Sequence, residues 1–123
     1  LYYRAKAYTK QKAGKKAMED YRELAKDTRN PYGAEAKYQV AQSLYDAKEY
    51  AAAEKELLNY IEQSTPHAYW LARSFILLSD VYHATGKDLD ARQYLLSLQQ
   101  NYQGNDDIES MIESRLSKLK VEN

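Results

Sequence analysis

Three pairs of small residues, each pair twelve positions apart, constrain the fold of this chain more than any other feature. Ala5 and Ala17, Ala41 and Ala53, and Ser79 and Ala91 keep the same interval, and the pairs succeed one another at 36 and then 38 residues. Each small residue is followed three or four positions on by a bulky one: Tyr8 and Tyr21, Leu44 and Leu57, Tyr82 and Leu95. Residues at that spacing share one face of a helix. A small side chain on each of two helices lets the backbones approach, and the bulky neighbour one turn on fills the space beside the contact. One such hairpin cannot bury its apolar face alone, so a period near 35 built of two helices predicts hairpins stacked in a solenoid.

The rest of the chain is consistent with an all-α protein. It has 16 Ala and 14 Leu against 3 Val, 4 Ile and 4 Thr, so β-branched residues that favour strands are scarce. Four glycines and two prolines leave few breaks. Asn30–Pro31 and Thr65–Pro66 read as N-caps followed by proline in a first turn, and Gly86 and Gly104 as left-handed C-caps. Asn105, Asp106 and Asp107 open a further helix with acids near its positive end. Gly14 and the Asp46–Glu49 stretch mark the remaining turns. Seven helices are predicted, over 1–11, 14–28, 32–46, 50–64, 67–85, 88–102 and 106–119. Three of them show the apolar stripe clearly: Ala91, Tyr94, Leu95, Leu98 and Tyr102; Ala53, Leu57, Tyr60 and Ile61; and Ile108, Met111, Ile112, Leu116 and Leu119.

The spaced residues also resemble the tetratricopeptide repeat. Phe75, Leu78-Ser79, Tyr82, Ala91 and Leu95 make the best unit. Lys37, Val40-Ala41, Leu44, Ala53, Leu57 and Pro66 make a second, and Leu1, Arg4-Ala5, Tyr8, Ala17, Tyr21 and Pro31 a third. Ala or Ser stands where the family often has Gly, Lys37 replaces a bulky residue, and the unit containing Phe75 has no closing Pro. The long, degenerate units are similar to those of bacterial envelope proteins. The resemblance implies a right-handed helical-hairpin solenoid with units at 1–30, 31–65 and 66–104, a capping helix at 105–119 and a tail at 120–123. It also implies the cell envelope or periplasm as the compartment, with the cytoplasm as the alternative. Leu1 already occupies a repeat position without a cap before it, and the last helix runs out into Lys118, Lys120, Glu122 and Asn123. The chain therefore reads as the C-terminal portion of a larger repeat protein.

No residue pattern predicts catalysis. The chain has no Cys, so thiol chemistry, disulfides and zinc–thiolate sites are excluded. His67 and His83 lie sixteen apart without metal-ligand spacing. Asp88 and Asp90, like Asp106 and Asp107, sit where a helix N-terminus favours acids. Phosphate-binding glycine loops, H-E-x-x-H and nucleophile elbows are absent, so no enzyme, metal or cofactor is expected. The longest apolar run, residues 68–72, is too short to span a bilayer.

Net charge is zero, but it is unevenly spread. Residues 1–30 hold nine Lys/Arg and four Asp/Glu, and residues 31–123 hold nine and fourteen. The first 16 residues contain six bases and no acid. This basic segment suits an acidic partner or nucleic acid, or else a solvated face; the second reading is preferred because no aromatic–basic interleaving marks one side.

In the family that the repeats resemble, the first helix of each pair lines a concave groove. Carried over, the groove residues are Tyr2, Lys6, Thr9 and Lys10; Glu35, Tyr38, Gln42 and Tyr45; and Arg73, Ile76, Asp80 and His83. Tyrosine anchors with polar specificity suit a bound peptide; the alternative is that these are ordinary exposed residues of a groove that is empty or filled by another part of the protein itself. The expected function is a non-catalytic protein–protein interaction scaffold that docks a protein or peptide and has no small-molecule substrate. Self-association with a second copy, and binding of nucleic acid or an acidic partner through the basic first unit, are the alternatives.

Overall fold

The computed structural model describes residues 1–63 and 65–119, and all regular structure among them is helical. The described helices are α1 (Tyr2–Lys10), α2 (Gly14–Leu24), α3 (Pro31–Asp46), α4 (Tyr50–Glu62), α5 (Ala68–Ala84), α6 (Asp88–Asn101) and α7 (Ile108–Lys118). Residue 64, the expected end of the fourth helix, and the expected tail at 120–123 lie outside the described residues.

Several helix ends differ from the sequence reading, each for a local reason. α2 stops at Leu24 rather than continuing to 28, because Ala25–Asn30 turn beneath the start of α3. Gly33 approaches that turn so closely that a Cβ would lie 1.8 Å from the Asp27 carbonyl oxygen. Asn30 caps α3 as expected, its side chain accepting from the Tyr32 N–H at 2.8 Å. Thr65 does not cap α5. The helix begins at Ala68 behind His67, while the Thr65 hydroxyl donates to the Tyr60 hydroxyl at 3.0 Å. Gly86 is left-handed at φ 81°, but Gly104 is not. α6 ends at Asn101 and Tyr102 is extended, with its ring so close that a Cβ on Gly104 would lie 2.4 Å from the phenol oxygen. Gly104 therefore provides space rather than handedness. α7 starts two residues later than expected, with the Asp106 side chain accepting from the Ile108 N–H at 3.0 Å.

The turns α1–α2, α3–α4 and α5–α6 are three copies of one structure. Each has a left-handed central residue: Lys12 (φ 59°), Lys48 (φ 62°) and Gly86. In each, that residue's N–H donates three positions back, to Thr9, Tyr45 and His83. The following N–H donates five positions back, to Tyr8, Leu44 and Tyr82, at 2.8, 2.9 and 2.7 Å. This closes the helix end by satisfying its last carbonyls. The interval between these turns, 36 and then 38 residues, is that of the small-residue pairs.

Packing follows the small residues. Ala5, Ala17, Ala41, Ala53, Ser79 and Ala91 are all buried, at 5% exposure or less. The bulky residues beside them are buried too, apart from the half-buried Tyr8. One continuous apolar core runs from Ala5 to Ala91, and a second joins α5, α6 and α7 through Ala72, Ile76, Leu95, Leu98, Ile108 and Ile112. Helix pairs in extensive contact are all sequence neighbours or next-but-one. The latter are α3 with α5 and α5 with α7. Within the hairpins, positions nineteen apart face each other. In α5–α6 they are Phe75 and Tyr94, with ring centroids 5.8 Å apart; in α3–α4 they are Lys37 and Glu56, an ion pair at 2.8 Å. The lysine standing in for a bulky residue is thus tolerated because an acid replaces the facing aromatic. Among the described residues no helix is long and apolar enough to cross a membrane.

Candidate functional site

The odd-numbered helices bring most of the expected groove residues onto one face, and there they engage one another. Between α1 and α3, the Tyr2 hydroxyl donates to Glu35 at 2.9 Å and the Lys6 ammonium lies 3.1 Å from the other carboxylate oxygen. Lys6 also lies over the Tyr2 ring at 4.9 Å. Its pKa is raised, chiefly by the Tyr2 hydroxyl and then by Glu35, so it stays charged. Between α3 and α5, Arg73 donates to the Tyr38 hydroxyl at 3.0 Å, and Tyr38 in turn donates to Gln42 at 2.9 Å. Between α5 and α7, Arg115 reaches both oxygens of Asp80, at 3.3 and 3.4 Å. The residues joined across these three steps are 33, 35 and 35 positions apart.

Arg73 is the most elaborately held of these groups. Its guanidinium lies 4.8, 5.7 and 5.8 Å from the ring centroids of Tyr38, Tyr69 and Trp70. A second Nη donates to Tyr69 at 2.8 Å, and the Tyr69 hydroxyl donates to Asp107 at 3.0 Å. Its buried Nε has no hydrogen-bond partner among the described residues. Burial opposes the Arg73 charge, but the oxygens of Tyr38 and Tyr69 outweigh it and leave the pKa raised. Burial pushes the Asp80 carboxyl up, while Arg115, Lys118 and His83 pull it back.

The expected groove residues divide into three groups. Tyr2, Lys6, Glu35, Tyr38, Gln42, Arg73 and Asp80 form the cross-helix ladder, with Glu35 and Tyr38 buried beneath it. Thr9, Lys10, Tyr45 and His83 lie at or near its margin. There Thr9 donates to the Ala5 carbonyl of its own helix, Tyr45 packs on Tyr50, and His83 pairs with Asp88 at 2.8 Å. Ile76 is a correction. At 1% exposure it belongs to the core between α5, α6 and α7 rather than to a surface. It faces inward because α7 covers that side of α5.

The sequence reading missed Tyr69, Trp70, Asp107 and Arg115. Tyr69 and Trp70 stand four and three positions before Arg73 and share its helix face. Arg115 lies 35 positions after Asp80, the interval that also separates Tyr38 from Arg73, so continuing the period into α7 would have found it. An apolar cleft of about 210 Å³ between α5 and α6 is lined by Leu71, Phe75, Leu98 and Tyr102 among others and contains no expected groove residue. Among the described residues no group of three His, Cys, Asp or Glu could hold a metal ion. No protein-family model, curated protein or solved structure gives a match to this chain.

Proposed function

We propose that this chain is a non-catalytic scaffold. In this reading it is a right-handed solenoid of tetratricopeptide-like hairpins ending in α7, and its odd-helix face docks an extended segment or a helix of a partner protein. The observation that carries the reading is the ladder of Tyr2–Glu35, Tyr38–Arg73 and Asp80–Arg115, which links successive odd helices at nearly constant sequence intervals. Constant intervals are what a stack of like units requires. The direct contacts of α3 with α5 and α5 with α7 support it further, because α4 and α6 have no comparable contact among the described residues. Because α3, α5 and α7 approach one another more closely than α4 and α6 do, the odd face is the inner side of a curve over that part of the chain. Hydrogen-bonded tyrosines and paired charges hold that face rigid, and a preorganised surface loses little entropy on binding.

Peptide-display selection against the purified chain, followed by amide chemical-shift mapping, tests the proposal. Selected peptides should bind one to one and shift the signals of Lys10, Gln42, Tyr45 and Arg73. Shifts confined to α2, α4 and α6 would overturn the groove assignment. Self-association in light scattering with no peptide selected would replace it with the oligomerisation reading.

A further inference from the structure

The three hairpin turns share one backbone but not one charge. Counted over equivalent seven-residue windows, the α1–α2 turn (residues 10–16) holds Lys10, Lys12, Lys15 and Lys16 and no acid, a charge of +4. The α3–α4 turn (residues 46–52) holds Asp46, Lys48 and Glu49, and the α5–α6 turn (residues 84–90) holds Lys87, Asp88 and Asp90, so each carries −1. Since hydrogen bonding is the same in all three, the shape of the turn does not require the lysines. All four are exposed. Among the described residues no carboxylate pairs with Lys10, Lys12 or Lys15, and Lys16 only overlies the Tyr8 ring at 5.7 Å. The rest of residues 1–30 is nearly balanced, with five cations and four acids; there Arg4 pairs with Asp20, Lys6 with Glu35 and Lys26 with Glu23, while Arg22 and Arg29 have no ion pair among the described residues. The positive excess is therefore concentrated at one tip.

We infer that the α1–α2 tip is a docking surface for an acidic polypeptide segment, one rich in Asp and Glu. Like charges held this close repel one another, and a complementary anion relieves that repulsion while steering encounter. The features of the tip favour a polypeptide over other polyanions. All four cations are lysines, with no guanidinium fork to grip phosphate in bidentate fashion. Among the described residues the one ring at these lysines, Tyr8, is half-buried and already covered by Lys16, so it offers no open platform for bases to stack on. The exposed apolar residues Leu1 and Tyr3 lie at the opposite end of α1, so nothing beside the lysines can enter a bilayer, and charge alone is a weak membrane anchor. Lys10 also belongs to the odd-helix face, so an acidic segment held at the tip can continue along it. The tip stands on its charge and exposure alone and does not depend on the groove reading.

Fluorescence anisotropy of a labelled glutamate-rich peptide, with a glutamine-rich peptide of equal length as control, tests the inference. The glutamate peptide alone should bind, more weakly as salt rises. The quadruple variant K10Q/K12Q/K15Q/K16Q should weaken binding by about tenfold or more, equivalent to about 1.4 kcal/mol. A double variant at the other two tips, K48Q/K87Q, should leave it unchanged. Circular dichroism of both variants should match the parent. The inference is overturned if the glutamate peptide fails to bind or binds the quadruple variant equally. It is also overturned if phosphatidylserine vesicles or a short DNA duplex bind through these lysines and the glutamate peptide does not.

Discussion

Replacing Lys48 by glycine should stabilise this protein, although it removes a side chain from a well-ordered turn. Lys48 sits at φ 62°, where a Cβ crowds the adjacent backbone. For a residue other than glycine the left-handed conformation costs roughly 1–2 kcal/mol. Glycine escapes that penalty but loses more backbone freedom on folding, a counter-term of about 0.5–1 kcal/mol. The net expected gain is about 0.5–1 kcal/mol. The side chain contributes little to offset it, because no ion pair of Lys48 exists among the described residues. The reciprocal change tests the same reasoning. Gly86 holds the equivalent place at φ 81° with no atom within 4 Å of a built Cβ, so Gly86→Lys introduces backbone strain without a clash. It should lose about what Lys48→Gly gains. Urea unfolding monitored by circular dichroism reads both, and the midpoints should move in opposite directions at constant slope. In a thermal melt each shift should be a few degrees, on the order of 2–6 °C. A destabilised Lys48→Gly, or a Gly86→Lys as stable as the parent, would show that the three turns are not equivalent and remove a main support for the repeat.

Two further perturbations probe the packing. Ala53→Glu and Ala91→Glu each force a carboxylate into a fully buried helix contact, and each should cost about 3–5 kcal/mol in urea unfolding; a variant as stable as the parent would mean that the helices do not meet there. Asp80 has a folded pKa raised above its ordinary value of 3.8, so between 3.8 and that raised value the folded state holds more protons than the unfolded state. The Asp80 contribution to stability is therefore largest at low pH and declines as pH rises through this window. The stability difference between the parent and Asp80→Asn, measured across that range, should fall with rising pH and then level off; a difference that grows would contradict the burial argument.

Much of the fold was legible because its signals are local or periodic. The all-α class followed from composition, and the buried faces followed from small and bulky residues recurring at helical spacing. The left-handed turn at Gly86 was legible, but its equivalents at Lys12 and Lys48 were not, since lysine carries no sign of that conformation. The expected helix caps failed at Thr65 and Gly104 because tertiary neighbours took over: Thr65 turns to Tyr60, and Gly104 makes room for Tyr102. Ile76 looked like a surface residue one face away from the packing positions until α7 covered it.

The pattern of residues by itself determined that helices form, roughly where they break and which stripe of each turns inward, because backbone hydrogen bonding and hydrophobic periodicity act within a few residues. Only the tertiary structure decided what the odd-helix face is made of. Glu35 with Tyr2 and Lys6, Tyr38 with Arg73, and Asp80 with Arg115 become partners across about a full period of chain, and their pairing depends on how neighbouring hairpins are offset in space. It also separated the paired cations Arg4, Lys6 and Lys26 from the four unneutralised lysines of the first turn. Ion pairing depends on distances of a few ångströms, which the order of residues does not specify.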